Sequence, residues 1–294
     1  MLYSCVQFTK TYSPTQTDAF SFCPRYWGFY RAGLKLRVIG YPEIAAIVGT
    51  AVAKGLECFY LMRRDGDPTD AVSIEQAAVT FGGRLKETAL ANGQRYVASA
   101  NQSDWDAIDN NISLCLKTHA KRDPFVAYKV LEVEATGIDG DRPDLILADD
   151  AGPLVVDFKC KLTLRAEWVK KEFSKWRRSW QLHHYAVRRG ISRFAVCLIA
   201  PHTRQGIIYE TTTITPTLAM RWLADANQLW GEMAMSEGLR IEQLRGNTTH
   251  ANEYGECVYW AEACSVGLDP SLMNLIQVER YKENSCPSPS SVIT

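Results

Sequence analysis

The residues best suited to chemistry lie between positions 142 and 160. Asp144 directly precedes the apolar run LILA. Asp157 lies within the run LVVDF, and Lys159 directly follows it. The intervening residues, 149–153, have the composition of a turn, so the two runs predict a β-hairpin. Residues two apart on a strand point to one face, which places Asp157 beside Lys159, and the partner strand can bring Asp144 to the same face.

Two carboxylates and a lysine on one face suit the metal-dependent hydrolysis of a phosphodiester. Mg²⁺ in proteins is usually held by one or two carboxylates, with water and substrate phosphate completing its shell. A lysine beside such a pair can orient the attacking water or stabilise developing negative charge. The alternative is a structural salt bridge on a strand, because Asp-x-Lys also occurs by chance.

A helix-forming stretch follows and carries Gln181 and Tyr185, which are four residues apart and therefore on one helical face. Pro143-Asp144, then Asp157-Phe158-Lys159, then Gln-x3-Tyr resembles the PD-(D/E)XK nuclease superfamily, and within it the RecB-like exonuclease branch with its phage-encoded and CRISPR-associated members. The resemblance implies that Asp144 and Asp157 bind Mg²⁺ or Mn²⁺ and that Lys159 is the catalytic lysine. It implies active-site or DNA-positioning roles for Gln181 and Tyr185.

One position departs from the family pattern. The run GTAVAKGLE, in a helix predicted over residues 42–64, resembles a motif in which a metal-binding His follows a Gly by four residues, and here that position is Ala53. Glu57 lies one turn further along the same face and could reach the metal instead, or it is an ordinary solvated helix residue. The departure favours an alternative function, a catalytically impaired DNA-binding or scaffold protein on a nuclease fold.

The cysteines raise the possibility of a second metal site. The segment F-x-x-C-P-x-x-W around Cys23 resembles members of the branch that bind an iron–sulfur cluster, in which the C-terminal segment supplies three further cysteines. Cys257 and Cys264 match two of the three, and Ala251, next to His250, takes the remaining position. Three Cys and one His would also suit Zn²⁺. The alternative is an empty site whose cysteines are simply packed thiols.

Basic residues are concentrated just after the hairpin, although the formal net charge of the chain is +0. Such a stripe suits phosphate binding, but charge runs are more often solvated helix faces. An exposed Trp among Trp168, Trp176 and Trp180 could stack on an unpaired base. His183 and His184 are interpreted as surface or groove residues. The stripe comprises Lys159, Lys161, Arg165, Lys170, Lys171, Lys175, Arg177, Arg178, Arg188, Arg189 and Arg193.

The order of elements predicts an α/β fold with a restriction-endonuclease-like core: a mixed central β-sheet flanked by helices, plus N-terminal helices and a C-terminal Cys-bearing segment. One nuclease domain is expected over 1–286, made of a helical part (13–120), a catalytic core (125–240) and the Cys segment (246–286), with a disordered tail at 287–294. Helices are predicted at 13–34, 42–64, 72–92, 103–119, 165–189 and 215–235, and strands outside the hairpin at 127–135, 193–200 and 205–213.

The predicted function is a Mg²⁺- or Mn²⁺-dependent exodeoxyribonuclease that acts on single- or double-stranded DNA ends in DNA processing, repair or recombination. A recombinase or helicase partner is neither indicated nor excluded. Nine cysteines, an odd number, and the lack of a signal-peptide pattern or an evident membrane-spanning run favour a cytoplasmic protein.

Overall fold

The fold is seen in a computed structural model that describes residues 11–36, 44–67, 71–91, 106–134, 136–137, 141–162, 164–245, 251–252, 255–256 and 275–277. The helices are α1 Pro14–Phe22, α2 Pro24–Arg31, α3 Ile44–Asp65, α4 Ala71–Ala91, α5 Ile108–Arg122, α6 Val169–Trp176, α7 Trp180–Arg188 and α8 Pro216–Ser236. The strands are β1 Leu34–Leu36, β2 Lys129–Val133, β3 Leu145–Asp149, β4 Gly152–Cys160, β5 Arg193–Ala200, β6 Gly206–Thr213, β7 Ala251–Asn252, β8 Gly255–Glu256 and β9 Leu275–Gln277.

A five-stranded sheet in the order β2-β3-β4-β5-β6 forms the centre of the molecule. Strands β2, β3 and β4 are an antiparallel meander, β4 pairs in parallel with β5 after the α6–α7 crossover, and β5 and β6 form an antiparallel hairpin. The predicted α/β class and mixed sheet are therefore confirmed, as is the predicted hairpin, which β3 and β4 form.

Alternate residues of the central strands pack on opposite layers of helices, as the two-residue period of a strand requires. On one side, Leu154, Val156 and Phe158 of β4 contact a core built from α3, α4 and α5. On the other side, Val155 joins a second core built from α1, α2, α6, α7 and α8. Because Asp157 and Lys159 have the parity of Val155, they point to the α6–α7 side.

Two predicted helices are each broken in the structure. The helix expected over 13–34 begins as predicted at Ser13, whose side chain accepts a hydrogen bond from the Gln16 backbone N–H (3.4 Å). It stops at Cys23, because a residue before proline is disfavoured in the helical region, and Cys23 is extended (φ −163°, ψ 118°). Pro24 then opens α2, where its fixed φ suits the first helical position.

The helix expected over 165–189 is likewise divided, into α6 and α7. Phe173 and Leu182 are both buried in the same core, yet nine residues of continuous helix would turn their side chains about 180° apart. The break at residues 177–179, where Ser179 is extended, realigns the two helices so that both side chains reach the sheet. Tertiary packing overrides helix propensity here.

Helix α3 is long and apolar enough by composition to cross a membrane. In the fold it is a core helix, because Val48, Ala51, Val52 and Leu56 are each at most 2% exposed and pack between the sheet and its neighbouring helices. The helix therefore packs its apolar side into the core. Its polar edge, which includes Lys54 and Glu57, faces Asp144 and Asp157.

The two ends of the described chain pack together. Strand β1 pairs antiparallel with β9, and the backbone N–H of Arg25 donates to the Arg245 carbonyl (3.3 Å). The guanidinium of Arg31 donates to the carbonyls of Glu237 (2.6 Å) and Leu239 (3.1 Å). These contacts fix α1 and α2 against the end of α8.

Adjacent glycines on α4 test the packing between α4 and α5. A Cβ at Gly82 would lie 2.6 Å from Ile112 Cδ1, whereas one at Gly83 would meet nothing within 4 Å. We expect Gly82→Leu to lower the free energy of unfolding by about 1–3 kcal/mol through overpacking. Gly83→Leu should raise it by up to about 1 kcal/mol, the helix-propensity difference. Denaturant unfolding of both variants measures this, and equal effects would contradict the packing.

Candidate active site

An open cleft of about 440 Å³ lies where β3 and β4 meet α3, α6 and α7. It brings together the predicted residues Asp144, Asp157, Lys159, Gln181 and Tyr185. The wall opposite is formed by α3. Four basic and four acidic side chains line the cleft, so their formal charges balance: Lys54, Arg142, Lys159 and Lys161 against Glu57, Glu134, Asp144 and Asp157.

The hairpin places the two aspartates side by side. Leu145 pairs with Val156, so Asp144 stands one residue beyond the pair and opposite Asp157. One oxygen of Asp144, Oδ2, accepts a hydrogen bond from the Phe158 backbone N–H at 2.7 Å, which fixes its orientation. The ring of Phe158 is anchored on the opposite face, stacked on Tyr60 with centroids 5.7 Å apart.

Two carboxylates lie close together here in a poorly solvated environment, which affects the pKa of Asp144. Burial and then the charge of Asp157 raise the pKa of Asp144 to about 7, against smaller opposing effects of Lys159, the Phe158 N–H and Arg142. Asp157 is 1% exposed, and neither of its oxygens accepts a well-directed hydrogen bond from a described residue. Buried carboxylate oxygens are normally satisfied, so this pair has the character of a site for a hard cation.

Lys159 is the cation that accompanies the pair. Its Nζ lies 2.7 Å from Asp157 Oδ2 in an ion pair. Burial alone would lower the pKa of Lys159, but the carboxylates of Asp157 and Asp144 outweigh it and raise the pKa above its ordinary value. The amine is therefore an ammonium at neutral pH, suited to holding an anion or orienting water rather than to removing a proton.

Gln181 and Tyr185 lie on one face of α7, as their spacing predicts. The Gln181 side-chain amide donates to Tyr185 Oη at 2.9 Å. Tyr185 is 6% exposed, and burial raises its pKa, so its hydroxyl stays protonated. The pair is thus a fixed polar wall beside Asp144 and Asp157.

Glu57 lines the cleft but does not join the carboxylate pair. Its Oε2 lies 2.6 Å from Lys54 Nζ, one helical turn away. Within the described residues, no group of three or more His, Cys, Asp or Glu side chains is arranged to hold a metal ion. Ala53 and Glu57 do line a small recess shared with Asp144 and Glu134, so position 53 faces the carboxylates as the family motif implies.

Two further cleft residues were not identified from the sequence. Glu134, whose place at the end of a strand fits either the solvent face or a carboxylate near the metal, has a left-handed backbone (φ 47°), and its N–H donates to the Asp144 carbonyl (3.2 Å). Its carboxylate pairs with Arg142 Nε at 2.7 Å. Such backbone conformations in non-glycine residues cluster at functional sites. The sequence feature that could have identified Arg142 is its position two residues before Asp144.

The basic stripe is not one continuous helix face. Several of its members form ion pairs with the sheet and its turns: Arg177 with Glu210, Arg189 with Glu132 and Asp141, and Arg193 with Asp149. Lys170 and Lys171 remain exposed at the start of α6. Trp168, beside them, is 47% exposed, and its ring lies 5.1 Å from the guanidinium carbon of Arg165.

His183 and His184 are not surface or groove residues. They are 6% and 1% exposed. They are buried because α7 packs both flanks, one against β5 and the other against α8. The ring of His183 contacts Phe194, and the ring of His184 contacts Trp222 and Trp230.

The predicted cysteine site can be followed only at Cys23. This residue is 5% exposed and lies at the junction of α1 and α2, and its thiol is not in a disulfide. The other expected members, His250, Cys257 and Cys264, lie outside the described residues.

An acidic pair with a lysine on the central strands of a mixed sheet, closed by a polar helix face, defines a nuclease-type α/β site. A family model for the PD-(D/E)XK nuclease superfamily matches residues 11–265. Because the match covers most of the chain, this protein belongs to the PD-(D/E)XK nuclease superfamily. No curated protein gives a significant match.

Two solved structures of LHK-Exo are weakly similar. One is a complex with dAMP, and the other is described as an alkaline exonuclease from Laribacter hongkongensis. They are 13% and 14% identical to this chain, cover 66% of it and 92% and 93% of their own chains, and give TM-scores of 0.32 and 0.31. TM-scores of this size do not establish a common fold.

The raised pKa of Asp144 makes a prediction about stability without metal. A carboxyl whose folded pKa exceeds its unfolded value stabilises the protein at low pH, and this contribution is lost as the pH rises towards about 7. Asp144→Asn removes the charge and keeps an acceptor for Phe158. In EDTA, we expect the stability difference to move in favour of the variant between pH 5 and pH 8.5, by on the order of 1 kcal/mol or more.

Urea unfolding at both pH values measures this difference. The matched control is Asp150→Asn, in the exposed turn of the same hairpin, which should show no such pH dependence. A wild type that gains stability relative to Asp144→Asn between pH 5 and 8.5 would contradict the electrostatics described.

Proposed function

We propose that the protein is a divalent-metal-dependent deoxyribonuclease, and that it acts on DNA ends as a member of the RecB-like branch. The observation that carries the proposal is the buried carboxylate of Asp157, whose oxygens accept no well-directed hydrogen bond from a described residue. It lies beside half-buried Asp144 and the Lys159 ammonium in an open cleft. Superfamily membership supports nuclease chemistry. Exonucleolytic attack rests on the resemblance of the Gln181–Tyr185 motif to that of RecB-like exonucleases.

The residues present fit Mg²⁺ or Mn²⁺. Asp144 and Asp157 would hold the cation through carboxylate oxygens, the ligands that such ions prefer. When bound, the cation neutralises charge on the phosphoryl oxygens and supplies a water of lowered pKa. Asp144 and Asp157 would repel each other less with such a cation between them, because burial and the charge of Asp157 otherwise raise the pKa of Asp144 to about 7.

The remaining roles follow from position and charge. The Lys159 ammonium stabilises negative charge that develops on the phosphate. The Gln181 amide, fixed by its hydrogen bond to Tyr185, holds the scissile strand against the cleft wall. Exposed Trp168, with Lys170 and Lys171, offers stacking and phosphate contacts to an unpaired end outside the cleft.

A second candidate function is a non-catalytic DNA-binding or scaffold protein. The observation that favours it is Ala53, which faces the recess beside Asp144 where the family motif has a metal-binding His. Glu57 is paired with Lys54 and so does not replace that ligand in the metal-free protein.

The proposal also includes a separate metal site, an iron–sulfur cluster or Zn²⁺, held by Cys23, Cys257, Cys264 and His250. The β1–β9 pairing supports it, because it joins the chain that follows Cys23 to the chain that follows Cys264. This site would be structural, since Cys23 lies at the α1–α2 junction and does not line the cleft.

Asp157→Ala is expected to lower metal-dependent cleavage of end-labelled linear DNA by more than about a hundredfold, because it removes a directly bound ligand rather than a supporting group. Asp157→Asn, which keeps the side-chain volume, should behave in the same way. The rate of product release in Mg²⁺ or Mn²⁺, with EDTA as a blank, measures the effect on single- and double-stranded substrates.

The control for this experiment is Asp225→Ala, an exposed acid on α8, which should cleave at the wild-type rate. Cleavage that survives both Asp157 substitutions would show that the site is assigned to the wrong residues. Internal cuts in circular DNA would contradict the exonuclease assignment while leaving the nuclease assignment intact.

Ala53→His should increase the apparent affinity for Mn²⁺ by about tenfold, equivalent to one added ligand contact of about 1.4 kcal/mol. Calorimetric titration measures this, and the cleavage rate at limiting metal should rise in parallel. Ala46→His, two turns earlier on the same edge of α3, lies outside the recess and serves as the control. DNA binding without cleavage by either the wild type or Ala53→His would favour the scaffold function.

A further inference from the structure

The ammonium of Lys159 is held from two sides. Asp157 Oδ2 lies 2.7 Å from Nζ, and the ring centroid of Trp176 lies 4.7 Å from the same atom. This is within the range at which a cation is attracted to an indole face. Trp176 is the last residue of α6 and lines the cleft.

Trp176 is itself fixed by a polar chain that returns to the catalytic strand. Its indole Nε1–H donates to Glu172 Oε2 at 3.3 Å, one turn earlier on α6. The same Glu172 oxygen lies 2.9 Å from Lys161 Nζ, and Lys161 follows directly on β4. The end of β4 and the end of α6 are therefore tied together through the Trp176 ring.

This arrangement matters because the ion pair with Asp157 does not by itself fix the direction in which the Lys159 side chain points. A lysine side chain has four rotatable bonds and a compact charge that pairs with a carboxylate over a wide range of angles. In the proposed enzyme, a cation on Asp157 would compete for the oxygen that Lys159 contacts. The indole face is not a ligand for such a cation, so a cation on Asp157 would leave the contact of the ammonium with Trp176 available.

We propose that Trp176 is a positioning residue, which holds the Lys159 ammonium over the carboxylate pair so that it faces the phosphate. The catalytic part of this inference rests on the proposed nuclease function, whereas the geometric part does not. The break between α6 and α7 follows directly after Trp176, so α6 and α7 do not continue as one helix past this residue.

The kinetic test compares Trp176→Leu with Trp176→Phe. Leucine removes the aromatic face, whereas phenylalanine keeps a smaller aromatic face and loses the N–H that contacts Glu172. We expect Trp176→Leu to lower kcat about 3- to 30-fold with KM unchanged, the rate equivalent of a cation–π contact. Trp176→Phe should retain most of the rate. In a Lys159→Met background, Trp176→Leu should have no further effect.

Trp180→Leu is the matched control, since this tryptophan packs on Trp222 with centroids 5.4 Å apart rather than on Lys159. It should change stability without changing kcat. A Trp176→Leu enzyme with wild-type kcat would overturn the inference. So would a Trp176→Phe enzyme as slow as the leucine variant, because the indole N–H rather than the ring face would then be the cause.

A second measurement does not depend on activity. Reductive ¹³C-methylation makes each lysine amine visible by NMR, and methyl groups above an indole face shift upfield through its ring current. The Lys159 resonance, assigned by its loss in Lys159→Arg, should lie upfield in the wild type and return to the ordinary position in Trp176→Leu. An unshifted Lys159 resonance in the wild type would overturn the positioning. A wild type that cleaves no DNA would contradict the proposed function, and the ring-current shift would still decide the geometry.

Discussion

The structure depends on placing like charges at the end of a buried strand. Val155 and Val156 are fully buried and Asp157 nearly so, on the central strand of the mixed sheet. Burying an isolated charged carboxylate there raises the free energy of the folded state, and a second carboxylate beside it raises it further. The fold accommodates the pair with one backbone N–H and one lysine, and leaves an open cleft on the remaining side. Because the negative charge of the two carboxylates is only partly compensated, this part of the cleft suits a cation and a phosphate bound to it.

The surrounding elements differ in how they serve this site. Helices α3, α4 and α5 support β4 from behind through Phe158, which stacks on Tyr60. Helix α7 provides a fixed polar wall through Gln181 and Tyr185. Helix α6 reaches the lysine through Trp176. Alternate residues of β4 therefore serve different purposes: Phe158 packs on the core, whereas Asp157 and Lys159 point into the cleft.

Much of this was predictable because it depends on local patterns. The apolar runs LILA and LVVDF on either side of the turn at 149–153 define the hairpin, and the spacing of Gln181 and Tyr185 defines one face of a helix. The breaks at Cys23 and at 177–179 have different origins: Pro24 signals the first, whereas only the core shared by Phe173 and Leu182 explains the second. Arg177, Arg189 and Arg193 resemble a phosphate-binding stripe until their partners on distant strands are known. The burial of His183 and His184 depends equally on distant neighbours.

The parallel pairing of β4 with β5 has a consequence for how the molecule comes into being. An isolated hairpin such as β3–β4 is marginal in water, and a parallel neighbour can join only after the crossover through α6 and α7 has formed. During synthesis, therefore, the two carboxylates emerge before β5, the parallel neighbour of β4, which ends at Ala200. A chain that ends before β5 carries both carboxylates without the strand that pairs with β4 beside Asp157. The buried surroundings of Asp157 thus depend on residues 193–200, which are added to the chain well after the hairpin itself.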